Sequence, residues 1–249
     1  MIIVIGAAEG IPAYRRVADA LAARIRSGEL GPRARVPSER ELAAEHGISR
    51  MTARAAVDLL ARRGLVERKQ RSGAFVARPK IEQDLNTVAG LSEQLEGRGV
   101  APGAKIIDAR TVPAGSLEDG EIAARLDLSN EDLVHVVMRV RTGDGEPLVL
   151  EENYLPERFF PGLLGEDLSG GLYALMRERY GISPARSRHE LEPTLLDPGV
   201  GVALGSSADT PALRVTRVAW DASGRPMEFA RDLHRGDRLL FVSEVSAED

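Results

Sequence analysis

Apolar positions in the first third of the chain recur at helical spacing. After Pro12, which suits a first helical turn, AYRRVADALAARIRSG puts Tyr14, Val17, Leu21 and Ile25 on one face. The pattern predicts a helix that Gly28 ends. A turn-rich LGPRARVP follows. In SERELAAEHG, Ser38 and Glu41 have capping-box spacing, with Leu42 and Ala43 as a small apolar face. Gly47 then makes a corner and Ser49 caps a third helix, which buries Ala53, Ala56, Val57 and Leu60 and stops near Gly64. LVERK and AFVAR read as short strands around QRSG, a basic hairpin with Lys69, Arg71 and Gly73 at or near its tip. Three helices, a glycine corner and a basic hairpin in this order predict a winged helix-turn-helix over residues 12–77.

The rest of the chain reads differently. HVVMRVRT and PLVLEENYLP have strand character, and Asp144-Gly145 between them is a hairpin signal. ALRVTRVAWDASGRPMEFARDLHRGDRLLFV gives three more strands, turning at Ser223-Gly224 and Gly236-Asp237. GEIAARLDL and GLYALMRERYG read as helices, the latter stopping at Gly181. Strands joined by hairpins, with helices interspersed, predict an α+β domain built on an antiparallel sheet over residues 87–246. KIEQDLNTV reads as the connector, within a linker over 78–86.

Composition refines this picture. The 249 residues suffice for two domains, and 43% hydrophobic with 29% charged residues is ordinary for a globular protein. The chain has no cysteine, which excludes disulfides, thiolate metal sites and cysteine nucleophiles. His46, His135, His189 and His234 are scattered without a helical or hairpin pair, so no metal or cofactor site is expected. No apolar run reaches the ~18 residues of a membrane span. The opening MIIVIGAAEG reads, with residue 11, as a disordered or mis-started tail, and a cytoplasmic location is expected.

Charge is segregated. Residues 12–80 hold 16 Lys/Arg against 7 Asp/Glu, a balance of +9; residues 81–249 hold 17 against 30, a balance of −13. The first part suits a polyanion, and the second needs another partner. A lone arginine means little here, because the chain's basic residues other than Lys69, Lys80 and Lys105 are all arginine. Position has to decide. With the apolar face of the third helix buried, Ser49, Arg50, Thr52 and Arg54 are left near its N-terminal end. Arginine pairs with guanine edges, hydroxyls reach phosphates or bases, and the helix terminus adds partial positive charge.

The stretch RVPSERELAAEHGISRMTARAAVDLLARRGLVERKQRSGAFV resembles the GntR family of bacterial transcription regulators almost throughout. The resemblance implies DNA contacts from Arg40, Arg50 and Arg54, and a close approach of the wing backbone at Gly73; Arg71 lies beside it. RVRTGDGEPLVLEENYLP, GLYALMRERYGI and GRPMEFARDLHRGDRLLFV are similar to the effector-binding UTRA domain of the HutC branch, whose fold is similar to chorismate lyase. Arg139 and Arg141, two apart on a strand, share a face and suit a carboxylate or phosphate. The resemblance places them in the effector pocket with Glu151, Tyr173, Glu228 and His234. The chain also departs from relatives that sense phosphorylated amino sugars, having Gly90 and Gly171 where those have hydroxyls, Leu91 for an aromatic residue and His234 for a tyrosine. That implies a different effector.

The reading is a ligand-responsive regulator, a repressor in most of this branch. It acts as a homodimer on double-stranded DNA with a palindromic operator, and a small anionic or polar metabolite releases it. An enzyme is the alternative suggested by the lyase-like fold, but no nucleophile–base motif appears, and no catalytic residue is assigned. A constitutive architectural DNA binder leaves the large acidic domain without a task.

Overall fold

The computed structural model describes residues 11–69, 72–117 and 120–246. The opening tail through residue 10, and Arg71, lie outside them. The chain divides into two compact units, Met1–Pro79 and Lys80–Asp249.

The first unit has helices α1 (Ala13–Arg26), α2 (Glu39–His46) and α3 (Arg50–Arg62), then the antiparallel hairpin β1 (Val66–Lys69) and β2 (Gly73–Val76). Its core joins Val17, Leu21, Leu42, Ala53, Ala56, Val57 and Leu60, the apolar face expected for each helix. Both sides of the α2 capping box form: the Ser38 hydroxyl accepts from the Glu41 amide (3.3 Å), and Glu41 accepts from the Ser38 amide (2.7 Å). These bonds hold the Glu41 carboxyl below its usual pKa. Ser38→Ala is expected to cost this unit about 1 kcal/mol, read as faster hydrogen exchange in the first turn of α2. Gly47 turns the chain with φ 63°, a conformation that costs a residue with a Cβ.

The second unit is a six-stranded antiparallel sheet in the order β4-β5-β6-β9-β8-β7: β4 (Pro102–Pro113), β5 (Leu133–Gly143), β6 (Glu146–Pro156), β7 (Arg186–Leu195), β8 (Pro211–Trp220) and β9 (Pro226–Arg235). Asp144 and Gly145 both take positive φ (50° and 76°), the primed turn that matches strand twist. One face of the sheet packs against α6 (Leu172–Tyr180) through Val137, Leu155, Met176 and Ala219. The other carries Val136, Tyr154, Val218 and Phe229 under α5 (Gly120–Arg125).

Two elements differ from the sequence reading. The proposed linker is partly a strand: β3 (Ile81–Asp84) pairs in parallel with β10 (Leu239–Val242), and α4 (Leu91–Glu96) follows it. LLFV therefore does not extend the antiparallel sheet. The cause is packing: Leu239 and its partner Ile81 join a separate apolar cluster with Leu95, Leu148 and Val149.

Candidate DNA-binding and effector sites

In the first unit, α2, α3 and the hairpin border a groove of about 340 Å³. Its lining includes Arg35, Arg40, Arg50, Arg68 and Gly73. Arg68 is committed to the fold, with Glu39 at 3.2 Å and Asp58 at 2.7 Å fastening the wing strand to α2 and α3. Arg40, Arg50 and Arg54 are exposed, and no hydrogen bond or ion pair engages their side chains among the described residues. Ser49 and Thr52 are partly used by the helix start: the Ser49 hydroxyl accepts from the Thr52 amide (3.1 Å) and shares a bond with its hydroxyl (2.9 Å). Gly73 has φ 103°, and a Cβ there would lie 3.7 Å from the Arg35 guanidinium. Arg35 was not singled out from the sequence. It sits in the turn-rich segment, which the structure makes strand-like by bridging Arg35 to Phe75 of β2.

In the second unit, a cavity of about 290 Å³ opens between the sheet and the N-terminal ends of α4 and α6. Four adjacent strands form its floor: β5 gives Arg139 and Arg141, β6 gives Glu151 and Asn153, β8 gives Arg217 and β9 gives Glu228. Two-residue spacing puts each pair on the same face. Ser92, Gly171 and Tyr173 form part of the roof.

The floor is an ion-pair lattice. Arg139, with no exposed surface, donates from Nε and Nη2 to Glu151 and from Nη1 to the carbonyls of Leu168 (2.7 Å) and Gly170 (3.0 Å). Arg141 reaches Glu151 at 3.4 Å and donates to the Ser92 hydroxyl at 2.6 Å. Burial works to raise the Glu151 pKa, but Arg139, Arg141 and Arg217 outweigh it and hold the carboxyl ionised. Arg217 grips Glu228 with two nitrogens (3.1 and 3.2 Å) and Asp232 with a third (3.3 Å). Burial opposes its charge, yet Glu228, Tyr173 and Asp232 push its pKa well up. Tyr173 donates to Glu228, and burial keeps its phenol protonated.

Five of the six expected effector residues thus meet. His234 lies at the edge of this group: six residues along β9 from Glu228, roughly 20 Å by strand rise, it lines a neighbouring cavity of about 30 Å³ with His189 and Asp232, beside Phe241, and that cavity shares Glu151 and Arg217 with the larger one. Burial, then Arg217, lowers the His189 pKa to about 4. The unfolded chain takes up this proton near pH 6.5 and the folded chain near pH 4. Stability is therefore expected to fall by up to about 3 kcal/mol as pH drops through that window. Denaturant midpoints should show a shallower decline for His189→Gln.

Ser92, Asn153 and Arg217 are pocket residues that the sequence reading missed. For two of them the signals were weak but present: Asn153 follows Glu151 by two, and Arg217 sits inside the strand VTRVAW. The missing hydroxyl at Gly171 is partly made good, because a Cβ there would lie 3.2 Å from the Ser92 hydroxyl. A hydroxyl therefore remains available beside Gly171 despite the glycine there.

Comparison with known proteins decides the family. Residues 13–76 match the bacterial regulatory proteins of the gntR family, and residues 97–239 match the UTRA domain. The chain belongs to the GntR family, in its UTRA-bearing branch. It is 34% identical to the HTH-type transcriptional repressor NagR of Bacillus subtilis, over 93% of this chain and 94% of that one. It is 36% identical to the HTH-type transcriptional regulator Rv0792c of Mycobacterium tuberculosis, covering 93% and 85%. The crystal structure of PhnF from Mycobacterium smegmatis superimposes with a TM-score of 0.64 at 31% identity, covering 93% of this chain and all of that one. These relatives are transcription regulators, not enzymes, and this GntR chain shares their two-domain make-up. Among the described residues no helix is long and apolar enough to cross a membrane.

Proposed function

We propose that this GntR-family regulator is a repressor that binds a palindromic operator as a dimer and is released by a small polar or anionic metabolite held in the 290 Å³ cavity. The observation that carries the reading is the pairing of two sites of different chemistry. One is an exposed set of uncommitted arginines around α3; the other is a polar-floored cavity in a separate unit. Arg40, Arg50 and Arg54 would meet DNA, with Ser49, Thr52, Arg71 and the Gly73 backbone assisting at phosphates. Resemblance to the repressor NagR supports repression. Dimerisation would pair two winged units with the two half-sites.

The cavity charge narrows the effector. Arg139 is held by Glu151 and two carbonyls at 3.1 Å or less, whereas Arg141 meets Glu151 and the Gly103 carbonyl only at 3.4 Å, so Arg141 is the less tightly held of the two guanidiniums toward a ligand. Arg139 instead fixes the chain that leads into α6. An effector would release DNA only by favouring one of two arrangements of the protein through differential affinity. Thermal-shift screening of metabolites, followed by fluorescence anisotropy on a labelled operator duplex, tests this. Compounds that raise the melting temperature should also release the duplex. A stabilising compound bound in the cavity without effect on DNA affinity would overturn the reading.

A further inference from the structure

The cavity floor contains one polar side chain that the ion-pair lattice does not use. Asn153 is wholly buried, and neither its amide nitrogen nor its amide oxygen has a hydrogen-bond partner among the described residues. Its cross-strand neighbours, Val137 on β5 and Ala230 on β9, offer no polar atom from their side chains. Two residues away on the same face, Glu151 is saturated by arginines. Burying an amide without partners costs free energy that an apolar side chain of the same shape avoids. A residue that serves only to fill this position would be leucine.

The chemistry of an amide defines what satisfies it. Its nitrogen donates and its oxygen accepts. A phosphate or carboxylate would take the nitrogen's hydrogens but set its own oxygens against the Asn153 oxygen. An ammonium would do the reverse. A neutral group that presents a donor and an acceptor side by side satisfies both atoms at once. A carboxamide, an acylated amine or paired hydroxyls all qualify.

We propose that Asn153 is a specificity-determining residue of this cavity and that it takes a neutral donor–acceptor group of the effector, an amide or a pair of hydroxyls. This rests on the cavity being the effector site. A charged group elsewhere on the same molecule would lie toward Arg141 and Ser92, away from Asn153.

The test uses the full chain, a metabolite panel and three variants. The panel holds neutral amides and polyols, simple carboxylates and simple phosphate esters. For the wild type, the compound giving the largest rise in melting temperature should carry an amide or paired hydroxyls. Its Kd should rise about tenfold or more in Asn153→Leu. That variant should also melt, without compound, at or above the wild-type temperature, since it removes an unpaired buried amide. Asn153→Asp, which keeps the acceptor but adds charge, should lose the same compound. The proposal is overturned if the best wild-type compound carries neither an amide nor paired hydroxyls, or if Asn153→Leu binds it as tightly. It is equally overturned if Asn153→Leu melts several degrees lower on its own, which would make Asn153 structural. Failure of the site itself looks different: the compound would then bind unchanged to Ala174→Trp, which fills the cavity from α6.

Discussion

Glu151→Ala is expected to destabilise the second unit by about 3–5 kcal/mol. The substitution takes the carboxylate partner away from Arg139 and Arg141, two guanidiniums that are almost fully enclosed. Arg139 keeps its bonds to the Leu168 and Gly170 carbonyls, but these are dipoles rather than a countercharge. The penalty comes from stranding a buried charge, so removing the charge as well should recover much of it. Arg139→Met combined with Glu151→Leu is expected to be closer to wild type than Glu151→Ala alone. Trp220 on β8, the chain's single tryptophan, reports the unfolding of this unit by fluorescence in denaturant. A cost below about 1 kcal/mol for Glu151→Ala would mean that water reaches the pair and that the cavity floor is not the dry lattice described.

Arg50→Ala and Arg54→Ala are each expected to weaken operator binding by about 1–3 kcal/mol, roughly a 5- to 150-fold rise in Kd at fixed salt. Both arginines are exposed on α3, at the helix start and one turn beyond it, with no partner among the described residues to hold them back from DNA. For the same reason, neither substitution should change the stability of the first unit, whose core lies on the opposite face at Ala53, Ala56, Val57 and Leu60. Fluorescence anisotropy at two or more salt concentrations separates the contact types: loss of a phosphate contact also lowers the salt slope by about one. Unchanged affinity in either variant removes that arginine from the contact set.

The first unit was largely legible in the sequence because its elements carry local signals that the tertiary fold does not override. The capping box at Ser38 and Glu41, the left-handed Gly47 and the buried stripe of α3 all occur as read. The second unit was legible where strands are half-buried and turns are tight, as in the Asp144-Gly145 hairpin. It was opaque at the sheet edges. β4 and β7 have one neighbour each and no fully buried residue, so their residues show no alternation of apolar and polar. α4 spans six residues, too few for a helical period to register, and its Ser92 went unnoticed for that reason. β3 reads IEQD, and its polar residues disguise a strand whose pairing with β10 is set by contacts distant in sequence.

The candidate site divides the same way. Arg139, Arg141 and Glu151 could be placed together because strand periodicity and family resemblance agree on them. His234 was grouped with them by resemblance, but periodicity fixes a face and not a position along the strand. The structure shows that the face of β9 is long enough to serve two cavities. Asn153 carries no motif, and its interest emerges from what it fails to bond.

The central claim is that the cavity controls the DNA-binding surface. The most direct measurement titrates a compound selected by thermal shift into the complex of the full chain with a labelled operator duplex, for the wild type and for Ala174→Trp. The compound is expected to release DNA from the wild type, whereas Ala174→Trp, binding DNA normally, is expected to stay bound at every concentration of compound. Equal release from both proteins would contradict the claim.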